Sequence, residues 1–243
     1  MNIYNLHSNP ETLDGFDQQS NVPEILRDLA WTKQEPAIEQ KIMKDAESAC
    51  MYAKYVIEDE WPAAEKYIIK HPRFAYEYAR DVLDRRWPEA EQYIITDSRS
   101  AYKYARHVIK DEWPAAEPVI MQDAKSAYYY AMYVLERRWE KAEPVIMQNA
   151  VAAVQYAKRF FKDVGWPEAE KYIIKDTRSA FEYAFMVLDN PWPAAEPLIM
   201  QDPEYAYYYA KFVLGRRWPE AEQVIMKDEY WWNEYTKGSP EVR

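Results

Sequence analysis

Seven tryptophans, Trp61, Trp87, Trp113, Trp139, Trp166, Trp192 and Trp218, recur at a spacing of 26 residues, broken once by 27. Each opens nearly the same phrase: Trp-Pro-Ala-Ala-Glu at 61–65, and Trp-Pro-Glu-Ala-Glu at 87–91 and again at 218–222. A short period kept over a whole chain means that each unit is one supersecondary element. No such unit can bury its apolar face alone, so neighbours must stack. The period therefore predicts an all-α solenoid of about seven tandem two-helix repeats with atypical capping ends.

The two helices are visible inside one unit. Over 71–83, Ala75, Tyr78, Ala79, Val82 and Leu83 follow the i, i+3, i+4, i+7, i+8 spacing of a helix that buries one stripe. Asp45, Asp97, Asp123, Asn149, Asp176, Asp202 and Asp228 fall in register at the start of this helix, where a short polar side chain caps free backbone N–H groups. His71 is the one departure. The second helix starts after Trp, with Pro62, Pro88, Pro114, Pro167, Pro193 and Pro219 suited to its first turn. It runs for about nine residues, a length that packing must hold. Pro118, Pro144 and Pro197 lie four residues deeper and remove an intrahelical bond, so those three helices either kink or begin later.

These signals divide the chain into a leader and cap over 1–35, a half repeat over 36–44, seven repeats over 45–227, and a cap helix with a frayed tail over 228–243. Unit five carries the extra residue. Lys162-Asp163-Val164-Gly165 precedes its Trp, and Phe160-Phe161 replaces the usual Val-Leu, which predicts a bend or altered curvature near 158–166.

Comparing the repeats with one another sorts positions by role. Two Ala columns allow close helix approach, and the Trp is expected to plug the corner between helices and the next unit. A Glu (65, 91, 117, 143, 170, 196, 222) recurs in every unit, as does a Tyr (52, 78, 104, 130, 156, 183, 209). A tyrosine on a buried stripe needs a partner for its hydroxyl, so the Glu column reads as structural rather than catalytic. Catalysis by carboxylates needs two of them in unlike environments at one place, whereas these repeat identically.

The residues before Trp vary more. They read Asp59-Glu60, Arg85-Arg86, Asp111-Glu112, Arg137-Arg138, Val164-Gly165, Asn190-Pro191 and Arg216-Arg217. The first four alternate in sign and are expected to neighbour each other along one edge, with Arg85, Arg86, Arg137, Arg138, Arg216 and Arg217 as candidate edge cations. On the first helix, two columns seven residues apart share a face. They hold nine basic and two acidic residues among fourteen, the bases being Lys54, Arg73, Arg80, Arg99, Arg106, Lys125, Lys158, Arg178 and Lys211. An aromatic column of Tyr76, Tyr102, Tyr128, Phe181 and Tyr207 runs beside them. Basic side chains interleaved with aromatics hold nucleotides by charge and stacking. The competing reading is that the rings pack neighbouring helices under solvated Lys and Arg heads.

Other chemistries are excluded on composition. With four Gly, phosphate-cradling glycine loops and nucleophile elbows are not expected. One cysteine, Cys50, forms no internal disulfide or thiolate cluster and occupies a column of core aromatics. His7, His71 and His107 are scattered, so neither a metal site nor a cofactor is expected. Net charge is −10, but the seven repeats carry between −3 and +2 each, too even for a nucleic-acid mimic. The start Met1-Asn2-Ile3-Tyr4 lacks a basic segment followed by an apolar run, and no apolar stretch approaches the roughly 20 residues that span a bilayer. A cytoplasmic protein without membrane contact is the expectation.

The phrase Ser-Ala-Tyr-x-Tyr-Ala-x-x-Val-(Ile/Leu)-x-x-x-x-Trp-Pro-x-Ala-Glu, clear at 100–117, resembles short helical-hairpin repeats of tailed bacteriophage proteins over about 36–235. The resemblance implies an α-solenoid of phage origin working in the host cytoplasm, and it carries no activity or site residues. Unit five departs from the phrase with Ala150-Val151-Ala152-Ala153-Val154, so its packing is expected to differ most. Two functions follow: a non-enzymatic scaffold that binds a protein, such as a host factor, or an anion binder that sequesters a nucleotide or nucleic acid along the basic stripe.

Overall fold

A computed structural model describes residues 36–237. The predicted leader over 1–35 and the tail beyond Lys237 lie outside the described residues. The described chain is all-α, sixteen helices in tandem with no strand among them. Helix α1 (Pro36–Ile42) is the half repeat. The first and second helices of units one to seven are then α2 (Ala46–Tyr52) and α3 (Pro62–Ile68), α4 (Pro72–Asp81) and α5 (Pro88–Ile94), α6 (Ser98–Tyr104) and α7 (Glu117–Ile120), α8 (Ala124–Tyr130) and α9 (Glu143–Ile146), α10 (Ala150–Phe160) and α11 (Pro167–Ile173), α12 (Thr177–Tyr183) and α13 (Glu196–Ile199), and α14 (Pro203–Tyr209) and α15 (Pro219–Ile225). Helix α16 (Glu229–Lys237) closes the array. Each first helix packs on its own second helix and on the next first helix, so contacts run along the stack between neighbours, as a solenoid requires.

The cap column behaves as its chemistry dictates. Asp45, Asp97, Asp123 and Asp176 accept the backbone N–H three residues on, from Ser48, Ser100, Ser126 and Ser179. Asn149, Asp202 and Asp228 do the same for Ala152, Tyr205 and Trp231. His71 makes no such bond, and Pro72 begins that helix with no N–H to satisfy.

At the other end, five first helices widen into a π-helical turn, Ala53–Ile57, Ala105–Ile109, Ala131–Leu135, Ala184–Leu188 and Ala210–Leu214. Every unit then passes through a left-handed residue: Glu58, Asp84, Lys110, Glu136, Asp163, Asp189 or Gly215. That geometry turns a nearby N–H back onto a free carbonyl: Lys110 donates its own to Ala105 at 2.7 Å, and after Asp84 the Arg85 N–H reaches Ala79 at 3.3 Å. Six of the seven do this without glycine.

The second helices resolve the proline question. Where proline follows Trp alone, the helix runs from Pro62, Pro88, Pro167 or Pro219. Where proline stands four residues deeper, with or without one after Trp, the helix starts later, at Glu117, Glu143 or Glu196, with Pro118, Pro144 and Pro197 in its first turn. A proline ring clashes with the carbonyl four residues back and has no N–H for it. The chain therefore makes an open turn first, closed by Ala116 N–H on Trp113 O, rather than kinking. The expected nine-residue helix is thus seven residues or four.

The core is a repeated relay. The backbone N–H of Trp61, Trp87, Trp113, Trp139, Trp166, Trp192 and Trp218 each donates to the hydroxyl of a tyrosine 17 residues on, Tyr78, Tyr104, Tyr130, Tyr156, Tyr183, Tyr209 and Tyr235. These hydroxyls donate in turn to the glutamate of the preceding unit at 3.1–3.2 Å, Tyr156 to Glu143 for example, in every case but Tyr130. The Glu column is therefore structural and ties each unit to the next, the joint of units three and four excepted. Within a unit the Tyr ring lies 5.0–5.3 Å from the Trp ring. The six tryptophans from Trp87 on are buried, and Trp61, nearest the N-terminal end, is partly so.

Glu117 explains the exception. No hydroxyl or guanidinium donates to it, and burial together with the neighbouring Glu112 raises its carboxyl above the ordinary range. Tyr156→Phe orphans the Trp139 N–H and takes one of two donors from Glu143 Oε1, which keeps Arg138, whereas Tyr130→Phe orphans the Trp113 N–H alone. Each change is expected to cost about 1–3 kcal/mol, with Tyr156→Phe the larger. Urea midpoints of the two variants check the order, and equal losses would count against the relay.

Unit five is packed as tightly as the rest. Ala152, Ala153, Val154, Tyr156 and Ala157 are all buried. The added residue is taken up in the loop, where Phe161 stacks on Trp166 at 5.0 Å and Asp163 N–H reaches Val187 O of the next unit. Gly165 is left-handed there, and a Cβ on it would stand 2.9 Å from Leu188 Cδ2 and 3.2 Å from the Tyr183 hydroxyl. The Trp166–Tyr183 relay bond survives, so the register continues across the insertion.

The shared columns change in α16. The columns of Ala206, Tyr207 and Ala210 are buried in unit seven, but in α16 they become half-buried Trp232, exposed Asn233 and exposed Thr236.

Candidate interaction surface

The first helices present the face on which the basic stripe was placed, and most of that charge is spent internally. Lys54 reaches Asp81 of the next unit at 2.9 Å, and Arg80 grips the same carboxylate while donating to Tyr76. Burial alone would raise Asp81, but the hydrogen bonds from Arg80 and Lys54 hold its carboxyl below the usual range. Arg73 and Arg178 pair with Glu77 and Glu182 one turn on, at 2.9 and 2.7 Å. Arg106 and Lys211 donate to Tyr102 and Tyr207. Arg99 is exposed and engaged within the chain. Lys125 is exposed and Lys158 half-buried, neither with a partner among the described residues.

The edge cations are committed in the same way. Arg85 reaches back to Glu60 and Arg137 to Glu112, at 3.0 and 2.8 Å. Arg86, Arg138 and Arg217 instead turn onto the relay glutamates Glu91, Glu143 and Glu222. Arg216 donates to the Arg217 carbonyl. The alternating corners thus join units one to two and three to four as pairs, rather than forming one continuous ladder. At least nine of the fifteen candidate cations sit on carboxylates: Lys54, Arg73, Arg80, Arg178, Arg85, Arg86, Arg137, Arg138 and Arg217.

The aromatic column beside the stripe is not a stacking surface. Tyr76, Tyr102, Tyr128, Phe181 and Tyr207 are buried between helices, which answers the choice left open by the sequence in favour of packing. Cys50 is buried in the same column, and burial pushes its thiol up to about 12, far from reactive. No group of His, Cys, Asp and Glu among the described residues is arranged to hold a metal ion. No described helix is long and apolar enough to cross a membrane.

What column counting missed is aromatic surface at the C-terminal end. Phe185, Tyr205, Tyr208, Phe212 and Trp231 are each half-buried, and Tyr230 is 57% exposed. They form one connected sheet of rings: Phe185 to Phe212 at 5.9 Å, Phe212 to Tyr208 at 6.0 Å, Tyr208 to Trp231 at 5.2 Å, Trp231 to Tyr230 at 4.7 Å. The signal was available as departures from column identity. Among the seven units, Phe74 shares the Tyr205 column, which otherwise holds Ser or Ala, and Tyr55 and Tyr133 share the mixed column of Phe212, but unit seven alone places an aromatic in both.

No protein-family model, no curated protein and no solved structure matches the chain.

Proposed function

We propose that the chain is a non-enzymatic interaction scaffold that binds a protein partner on the face of its first helices, through the aromatic sheet of the C-terminal units. The observation that carries this reading is that sheet. Monomeric proteins rarely leave contiguous aromatic surface half-exposed unless it is used, and Tyr, Trp and Phe are the residues enriched in protein interfaces. The internal pairing of the stripe supports it over anion sequestration, since a guanidinium held on a carboxylate of its own chain has little charge left for phosphate. The phage-repeat resemblance adds a setting: a phage-encoded scaffold engaging a host factor in the host cytoplasm.

A pull-down from bacterial lysate tests the reading, with Tyr208→Ser/Phe212→Ser as the comparison and retained helicity checked by circular dichroism. A specific protein captured by the parent chain is expected to fall about tenfold or more in the variant, since losing two interface anchors costs more than about 1.4 kcal/mol. Capture that ignores the two substitutions would sink it. Oligonucleotide titration of the parent chain at low salt is expected to show no salt-dependent binding, and such binding would return the stripe to consideration.

A further inference from the structure

We propose that the C-terminal aromatic sheet receives a basic segment of its partner, lysine or arginine side chains lying over its rings between Glu204 and Glu229. This rests on the reading of the chain as a protein-binding scaffold and names the chemistry of what it binds.

The argument begins with how the rest of the same face treats its aromatic rings. In the N-terminal units the chain covers them with its own cations: Lys54 over Tyr55 at 4.9 Å, Arg73 over Phe74 at 5.1 Å, Arg80 over Tyr76 at 5.0 Å and Arg106 over Tyr133 at 4.1 Å. The quadrupole of an aromatic ring makes its face negative, and a cation within about 6 Å of the centroid is attracted to it. At the C-terminal end Lys211 does the same for Tyr207 and Phe212, at 5.1 and 5.3 Å. The neighbouring rings of Tyr205, Tyr208, Tyr230 and Trp231 have no cation over them among the described residues, although they belong to the same connected sheet.

Charge around those uncovered rings points the same way. Glu204 stands in the column that holds Arg73, Arg99, Lys125 and Arg178, with Glu47 and Val151 its other members, so the sign reverses between units six and seven. It lies close to Tyr208, whose hydroxyl burial and the Glu204 charge together push up to about 12, and it pairs with no cation among the described residues. Glu229 is exposed at the start of α16, beside Tyr230, with no cationic partner among the described residues. Arg178, one unit back, is held by Glu182. The platform therefore offers open π-faces flanked by two uncompensated carboxylates, which a lysine or arginine side chain satisfies and an acidic segment does not. A nucleic acid would bring its phosphates against both glutamates.

The test uses the full chain and labelled short peptides in fluorescence anisotropy: a lysine-rich peptide, the same sequence with glutamine at each lysine, and the same with glutamate. The lysine peptide is expected to bind and the other two not. Glu204→Gln/Glu229→Gln is expected to weaken it about tenfold, and Tyr208→Leu/Trp231→Leu, which keeps apolar bulk and net charge but removes the π-faces, by a comparable factor. Glu89→Gln/Glu168→Gln makes the same change of charge on the exposed second helices and is expected to leave binding within about twofold, as exposed charges remote from a site do. Equal weakening by the remote pair would overturn the proposal, because binding would then reflect only the net charge of −10. So would equal binding of the lysine and glutamine peptides. If no lysine peptide binds while the lysate partner is still lost from Tyr208→Ser/Phe212→Ser, the basic-segment assignment falls and the scaffold reading stands. A partner indifferent to those substitutions removes both.

Discussion

Trp139→Ala is expected to lower the unfolding free energy by about 3–5 kcal/mol, the usual cost of deleting a buried Trp side chain from a packed site. Trp139 is 7% exposed and lies 5.1 Å from the Tyr130 ring, and its backbone N–H is the donor to Tyr156 of the next unit. The substitution keeps the backbone bond and removes the plug, leaving a hole at the joint of units four and five. In a stack where each unit touches only its neighbours, stability is a sum of unit and interface terms. A hole in the middle therefore weakens the coupling of the two halves as well as the local packing. The urea transition is expected to move to a lower midpoint and broaden, as the halves begin to unfold separately. Trp61→Ala is the control. Trp61 is only partly buried and has one half repeat behind it, so its loss is expected to cost less and to leave the transition sharp. Equal cost at the two positions, or an unchanged slope for Trp139→Ala, would sink the interpretation of the tryptophans as interface plugs.

The same contrast shows what a periodic sequence can and cannot disclose. Positions whose role follows from the chemical need of their own column were legible. The Asp cap is decided by three residues of local backbone, and the Glu–Tyr bond follows from a buried hydroxyl that needs an acceptor. Even the later start of α7, α9 and α13 was one of two outcomes the proline permitted. Positions whose role depends on how different columns interlock were not legible. Asp81 lies in neither stripe column, yet it takes both Lys54, 27 residues earlier, and Arg80, its chain neighbour. The period says which residues share a column but not how adjacent columns interlock across the stack. Reading columns one at a time therefore counted nine cations and missed the carboxylates that hold them. The π-helical turns escaped for a related reason: a first helix that must end in a left-handed residue, at Glu58 or Lys110 without glycine, leaves no mark in apolar spacing.

The C-terminal surface was hidden by the same habit of mind. Averaging seven units gives a consensus in which the 205 column is small and polar and the 212 column is mixed. Only unit seven fills both with aromatics, and only the turn into α16 brings Trp231 against them. In a repeat array the consensus describes the packing shared by all units. Binding is more naturally sought where one unit spends large apolar side chains outside the shared core, since that surface gains nothing from the stack itself.

The relay makes a second prediction with a large effect, alkaline unfolding in one cooperative step. Eight tyrosines, Tyr52, Tyr78, Tyr104, Tyr130, Tyr156, Tyr183, Tyr209 and Tyr235, have their hydroxyls raised above the ordinary value of 10.0, chiefly because burial disfavours the phenolate. For Tyr104 and Tyr130 the shift reaches about 12. A neighbouring glutamate adds to it at each site, since a phenolate beside a carboxylate is two like charges. A group whose pKa is higher folded than unfolded contributes stability that is complete below the unfolded value and lost as pH rises through the folded one. Stability is therefore expected to be level up to about pH 10 as far as these groups are concerned, and to fall steeply between pH 10 and 12, because unfolding frees all eight hydroxyls to ionise together. Following tyrosinate absorbance and helical circular dichroism in one titration checks this. Because 22 tyrosines share the absorbance, the last part of its rise, about eight phenolates, is expected to coincide with the loss of helicity, since a ladder hydroxyl ionises only when its unit opens. All 22 phenolates forming while helicity stays intact would show that the hydroxyls are not sealed in the stack, and the relay would lose its place as the bond between units.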